Sequence, residues 1–105
     1  MLDKYSQFLK AGDAGGIAAL FAEDAEFHDY APVKMGLEPI SVRGRSSIED
    51  FFRKTFERGG LDVTNVGING NAMRYDVAVG KTILLCLGVL EEENNLIKKY
   101  TVAVV

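Results

Sequence analysis

Residues 5–29 read YSQFLKAGDAGGIAALFAEDAEFHD, and this stretch decides the fold because it changes from a helical pattern to a strand pattern. Its first part has apolar residues at helical spacing, and Gly12 suits the C-terminal cap of a first helix. Asp13 is a suitable N-cap for a second helix. We expect that second helix to carry three apolar residues: Ile17, Leu20 and Phe21.

The strand that follows poses a question about Asp29. Residues two apart in a half-buried strand share a face, so Ala25, Phe27 and Asp29 all point inward. A carboxylate does not face a core without a reason, because burying an unpaired charge is costly. Asp29 therefore either lies at the fraying end of the strand or lines a cavity. His28 points the opposite way, and we expect it to be a surface or sheet-packing residue.

A third helix is predicted by SSIEDFFRKTFERGG, residues 46–60. Ser46 and Glu49 have the spacing of a capping box, and Gly59 and Gly60 end the segment. The apolar stripe has i, i+3, i+4, i+7 and i+8 spacing: Ile48, Phe51, Phe52, Thr55 and Phe56.

The rest of the chain has a strand period. The loop at 31–45 could hold a short extra strand around Ile40 and Val42. Arg43 and Arg45 at its end either contact an anionic substrate, are solvated, or bridge to a partner subunit. Four further strands are predicted at 61–69, 71–79, 81–91 and 96–105. One of them contains TILLCLGVL, which is apolar on both faces, as in a strand that is covered on both sides. This order predicts an α+β fold with a curved antiparallel sheet around helices.

Length and composition limit the classes of function. A chain of 105 residues predicts a single domain, 1–105. The net charge of −3 argues against nucleic-acid binding, and no apolar run approaches the roughly 20 residues of a membrane span. Met1 is not followed by a secretory signal pattern, so we expect a cytoplasmic protein. Cys86 is interpreted as a small buried hydrophobe, and with only one histidine present we expect no metal site.

The segment AGD…ALFAEDA…D, followed by GRSSIEDFF and four strands, resembles the nuclear transport factor 2-like superfamily, in particular its SnoaL-like and ketosteroid-isomerase-like members. The resemblance covers essentially the whole chain. It implies a cone-shaped fold in which the curved sheet wraps around three helices. Members use this cone for isomerases, dehydratases, cyclases, epoxide hydrolases and non-catalytic scaffolds, so the fold alone indicates function weakly.

The ketosteroid isomerases combine an Asp general base with an oxyanion hole made of a Tyr and a protonated Asp. Counted from the shared AGD, the resemblance assigns the oxyanion Tyr to Tyr5 and the base to Asp29. The second oxyanion donor would fall at Gly88, and a supporting Tyr would fall near Phe52, so both of these groups are missing. We therefore do not expect an efficient ketosteroid isomerase.

Two functions follow as alternatives. The first is a cofactor-independent isomerase, or a related hydrolase or cyclase, that acts on an apolar carbonyl compound. The second is a non-catalytic ligand-binding or dimerisation module. For a substrate site, the resemblance implies apolar lining by Phe51, Phe52, Met73 and Tyr75, although core packing explains these residues equally well. Because the outer face of the sheet needs a cover, we also expect a homodimer formed through the sheet, and neither a nucleic acid nor a membrane as partner.

Overall fold

The computed structural model describes residues 1–105. The helices are α1 (Leu2–Ala11), α2 (Ala14–Ala19) and α3 (Arg45–Glu57), with a 3-10 helix at Ala31–Met35. The strands are β1 (Phe21–Asp29), β2 (Ile40–Arg43), β3 (Asp62–Asn69), β4 (Ala72–Val79), β5 (Thr82–Glu93) and β6 (Leu96–Val104). The predicted element order is confirmed, and β2 is the extra strand expected near Ile40.

All six strands form one sheet in the order β2-β1-β6-β5-β4-β3. Tight turns connect β3, β4, β5 and β6 in chain order, and each of these strands runs antiparallel to the next. The strands β1 and β6 run parallel to each other. The sheet is therefore mixed, whereas the sequence analysis predicted an antiparallel sheet. Register shifts interrupt the β1–β6, β3–β4 and β5–β6 pairs. Such bulges bend and twist strands, which accounts for the curvature.

The helices cover the concave face of the sheet. The helix α3 packs against β1 and β2, while α1 packs against β3. Between them lies a cluster of 20 buried apolar residues. Its largest fully buried side chains include Tyr5, Tyr100, Phe21 and Phe52.

The second helix is shorter than the sequence predicts. Its N-cap is Asp13, as predicted, and the side chain accepts a hydrogen bond from the Gly16 N–H at 2.9 Å. The helix ends at Ala19, however, and Phe21 is the first residue of β1. Phe21 pairs with Ile97 of β6 and is fully buried, so sheet pairing takes this residue out of the helix.

The predicted capping box of the third helix is wrong. The N-cap is Gly44, and no side chain caps the helix. Gly44 has a φ of 94° and donates its N–H to the Ala25 carbonyl, which ties the start of the helix to β1. Ser46 consequently lies inside the first turn, and Glu49 pairs with Arg53 along the helix.

The strand β5 is covered on one face only within the chain. Leu84, Cys86 and Leu90 point into the core, whereas Ile83 and Val89 are 68% and 45% exposed on the outer face. The prediction of a strand covered on both sides is therefore not met by a single chain.

Candidate functional site

A cavity of about 220 Å³ opens inside the cone, between the concave face of the sheet and the helices α1 and α3. Eighteen residues line it, and 14 of them are hydrophobic. The polar side chains in the lining, apart from tyrosine hydroxyls and a thiol, belong to Asp29, Thr55 and Arg58. The volume is below the roughly 300–1,000 Å³ of sites for drug-sized molecules, so the cavity suits a smaller ligand.

Asp29 is the last residue of β1, and its side chain lines this cavity. Asp29 therefore lies at the end of its strand and also lines a cavity, so the two possibilities left open by the sequence occur together. Oδ1 accepts a hydrogen bond from the Ala31 N–H at 2.8 Å, and this is the only hydrogen bond that the carboxylate makes. Burial raises the pKa of Asp29, while the Ala31 N–H partly opposes that rise. One carboxylate oxygen thus remains free to accept a proton or a ligand hydrogen bond.

Tyr5 lines the same cavity from α1. Its ring is 1% exposed, stacks on Tyr100 with centroids 4.7 Å apart, and meets Phe52 edge to face at 6.3 Å. Burial is the main cause that raises the pKa of the Tyr5 hydroxyl well above its usual value. The hydroxyl therefore keeps its proton at neutral pH and is available as a hydrogen-bond donor.

Three of the four residues expected to line a substrate site do line the cavity: Phe51, Phe52 and Tyr75. Met73 does not. It is fully buried on the same face of β4 as Tyr75, but the cavity follows the strand from Tyr75 in the opposite direction, toward Val77 and Val79. Met73 is therefore a core residue that is not part of the lining of this cavity.

One arginine lines the cavity, and it is Arg58, which the sequence analysis did not single out. The signal was present, because Phe51, Thr55 and Arg58 have i, i+4, i+7 spacing and so share a helix face. Neither Arg43 nor Arg45 lines the cavity: Arg43 pairs across the ladder with Glu26, and Arg45 donates to the Phe21 carbonyl at 2.9 Å.

Cys86 also lines the cavity from β5, and burial raises the pKa of its thiol to about 11. The thiol is therefore protonated at neutral pH, in keeping with its interpretation as a small apolar residue.

His28 lies on the face of β1 opposite Asp29. Its ring nitrogens contact Glu26 at 3.1 Å and the Ser41 hydroxyl at 3.0 Å. The His28 side chain thus belongs to a polar network outside the cone, as the alternation of residues along the strand predicted.

No group of three or more His, Cys, Asp or Glu side chains is arranged to hold a metal ion. No helix has the length and apolar character needed to cross a membrane.

The family model of the SnoaL-like domain matches residues 2–83, which is most of the chain and includes both Tyr5 and Asp29. The chain belongs to the SnoaL-like domain family. This family assignment confirms the nuclear transport factor 2-like superfamily that the AGD…ALFAEDA segment indicated. No match was found among curated protein sequences.

Solved structures similar to this SnoaL-like chain share its fold at low identity. A protein from Sphaerobacter thermophilus is 15% identical with a TM-score of 0.78, covering 99% of this chain and 92% of that one. An NTF2-like protein of unknown function from Mesorhizobium loti is 11% identical with a TM-score of 0.76, covering 99% and 87%. A hypothetical protein with a ketosteroid isomerase-like fold from Catenulispora acidiphila, in complex with trimethylamine, is 13% identical with a TM-score of 0.68, covering 97% and 82%.

Proposed function

We propose that this SnoaL-like protein is a cofactor-independent enzyme that transfers a proton on a small, apolar carbonyl compound. The observation that carries the proposal is the single carboxylate of Asp29 in a mostly apolar cavity that the Tyr5 side chain also lines. An acidic group and a protonated phenol in one water-poor space are the two groups that enolisation needs.

In this reaction Asp29 removes a proton from the carbon next to the carbonyl group. The hydrogen bond from Ala31 orients the carboxylate, and the raised pKa of Asp29 makes it a better proton acceptor than an exposed aspartate. Tyr5 donates a hydrogen bond to the carbonyl oxygen as negative charge develops there. Asp29 then returns the proton to a second carbon of the substrate, which completes an isomerisation.

A test uses 3-cyclohexen-1-one, a ring ketone small enough for the cavity. Its conversion to the conjugated isomer is followed by ultraviolet absorbance. We expect turnover by the wild type, loss of that turnover in Asp29→Asn, and a reduction of roughly 10²–10³ in Tyr5→Phe. Asp24→Asn, at an exposed position of the same strand, is the matched control and should retain the wild-type rate. Equal rates in Asp29→Asn and wild type would contradict the proposal.

A second candidate function is the non-catalytic binding of a small organic cation. Phe27, Phe51 and Phe52 contact one another at centroid distances of 5.2–5.5 Å in the cavity wall, and aromatic faces attract cations. Asp29 would supply the opposite charge. The similar fold from Catenulispora acidiphila is in complex with trimethylamine, which supports this candidate.

The two functions are separated by a binding experiment. Trimethylammonium and its neutral analogue of similar shape, tert-butanol, are titrated into the protein and followed by NMR. Preference for the cation, lost in Asp29→Asn and without turnover of the ketone, favours the binding module. Turnover without cation preference favours the enzyme.

We also propose that the protein is a homodimer that pairs through the outer face of the sheet. Ile83, Leu87 and Val89 alternate along β5 and are all exposed. Adjacent exposed apolar side chains on a sheet commonly mark an interaction surface, and a two-fold axis would let each chain cover the same patch of its partner.

A further inference from the structure

Arg58 is a charged residue of the cavity that the proposed reaction does not use. It is the C-cap residue of α3 and lines the cavity together with Phe51, Phe52 and Thr55 of that helix. Arg58 is the one basic residue in the lining, and Asp29 is the one acidic residue. The guanidinium keeps its positive charge at every pH at which the protein is folded, so the cavity always contains this charge.

Arg58 lies at the mouth of the cavity. Along β4 the lining residues Tyr75 and Val77 are buried, whereas Val79 is 38% exposed, so the cavity opens toward the end of this strand. Exposure rises in the same way along α3, from the buried Phe52 to the exposed Arg58. The guanidinium is therefore placed where a ligand enters from solvent.

The groups of the proposed reaction lie deeper in the cavity. The ring of Tyr5 is buried and contacts Phe52, which precedes Arg58 by six residues. Six helical residues correspond to about 9 Å along the axis. Burial is the main cause of the raised pKa of Tyr75, and the charge of Asp29 adds to it, so the carboxylate lies near this buried ring. The cavity thus has Asp29 and Tyr5 inside and Arg58 at its opening.

The Arg58 guanidinium has no partner within the chain, because it takes part in no ion pair and no side-chain hydrogen bond. By contrast, Arg53 pairs with Glu49, and Arg45 donates to the Phe21 carbonyl. The helix dipole favours a cation at a C-terminus, but it does not require that cation to line a cavity. The planar set of N–H donors in a guanidinium matches the two oxygens of a carboxylate.

We infer that Arg58 binds a carboxylate group of the ligand at the mouth of the cavity, so that the substrate class is an apolar ketone with a carboxylate remote from its carbonyl group. The inference rests on the proposed function, in which the inner end of the cavity takes the carbonyl group. Asp29 repels an anionic group and Arg58 attracts it. The two charges therefore favour one orientation of a keto acid, with its carbonyl group toward Tyr5 and its carboxylate toward solvent. The mostly apolar walls strengthen the ion pair, because they keep part of the surrounding water away.

The test compares 4-oxocyclohexanecarboxylate with 4-oxocyclohexanecarboxamide, which is neutral and has nearly the same shape. Titration followed by NMR gives the dissociation constant of each compound. We expect wild type to prefer the carboxylate several-fold, up to about tenfold, and the preference to shrink as salt is added. The net charge of the chain is −3, which disfavours anions in general, so such a preference requires a local positive charge.

Variants of Arg58 identify the charge responsible. Arg58→Gln should remove the preference for the carboxylate, and Arg58→Lys should keep part of it because the charge remains. Arg53→Gln is the matched control, since Arg53 lies on the same helix outside the cavity and its loss changes the net charge equally. Circular dichroism checks that each variant is folded. A preference that persists in Arg58→Gln, or that is lost equally in Arg53→Gln, overturns the inference.

The turnover of 3-cyclohexen-1-one separates this inference from the proposed function. Turnover by a wild type that does not prefer the carboxylate, or that binds neither test compound, overturns the inference and leaves the proposed function standing. A preference that depends on Arg58, without turnover of the ketone, supports the carboxylate site and contradicts the proposed reaction. Absence of both turnover and binding overturns both.

Discussion

The hydroxyl of Tyr100 lies over the Cα of Gly88, in the space that a side chain at position 88 would occupy. A glycine in a strand interior normally weakens the strand, and its presence often marks the close approach of another group. Here the approaching group is the Tyr100 side chain from the neighbouring strand, so the position of Tyr100 explains why residue 88 is a glycine.

Gly88→Ala should therefore destabilise the protein. The added methyl group meets the Tyr100 ring, which stacks on Tyr5 and Phe27, and overpacking of this kind costs about 1–3 kcal/mol. Urea unfolding measures the free energy of unfolding. Gly67→Ala is the matched control, because Gly67 is also in a strand and a Cβ there would lie 3.8 Å from its nearest neighbour, Arg74. Equal stability of the two variants would contradict the packing described here.

Asp29→Asn should change stability in a pH-dependent way. Burial raises the pKa of Asp29 in the folded chain above its usual value of 3.8. The folded chain therefore binds the Asp29 proton more tightly than the unfolded chain does. This binding stabilises the folded state at low pH, and the stabilisation is lost as the pH rises through the folded pKa. Asparagine does not ionise, so the variant should gain stability relative to wild type as the pH rises from 3, until the gain levels off.

Urea unfolding of both proteins from pH 3 to pH 8 checks this expectation, with Asp24→Asn as the control for loss of an exposed carboxylate. The Asn amide oxygen can still accept the Ala31 hydrogen bond, so the local turn should persist. A relative stability of Asp29→Asn that falls with rising pH would show that the carboxylate is stabilised by the fold.

Asp13→Ala and Ser46→Ala should differ, although both residues look like helix caps in the sequence. Asp13 accepts the Gly16 N–H, so its loss should cost about 0.5–2 kcal/mol. Ser46 is exposed within α3 and caps nothing, so alanine there should be neutral or slightly stabilising. Thermal unfolding of the two variants measures the contrast. A large loss in Ser46→Ala would mean that the capping box forms after all.

Ile83→Lys should convert the proposed dimer into a monomer. A charge within the exposed apolar patch on β5 opposes the burial of this patch against a second copy. Light scattering coupled to size-exclusion chromatography should give 11.5 kDa for the variant and twice that mass for wild type. Leu37→Lys, at a position that is 61% exposed outside the sheet, is the control and should remain dimeric. A wild type that elutes as a monomer at micromolar concentration would refute the dimer.

Local patterns were enough to predict the elements of the fold. The alternation through Ala25 and Phe27, the apolar stripe of α3 and the glycine-rich turns depend on neighbours in the chain, so the sequence expresses them directly. The same alternation predicted that Asp29 shares a face with Phe27. The errors lie at segment ends: Phe21 joined β1, and Gly44 replaced Ser46 as the cap, because pairing with distant strands overrode local preference.

The sequence by itself thus determined the family, the order of helices and strands, and the inward direction of Asp29. Only the tertiary structure decided that β1 runs parallel to β6, that Met73 lies outside the cavity while Arg58 lines it, and that Tyr100 fills the space beside Gly88. The physical reason is the distance along the chain. Contacts between residues many positions apart depend on sheet order, register and bulges, and no local period encodes these.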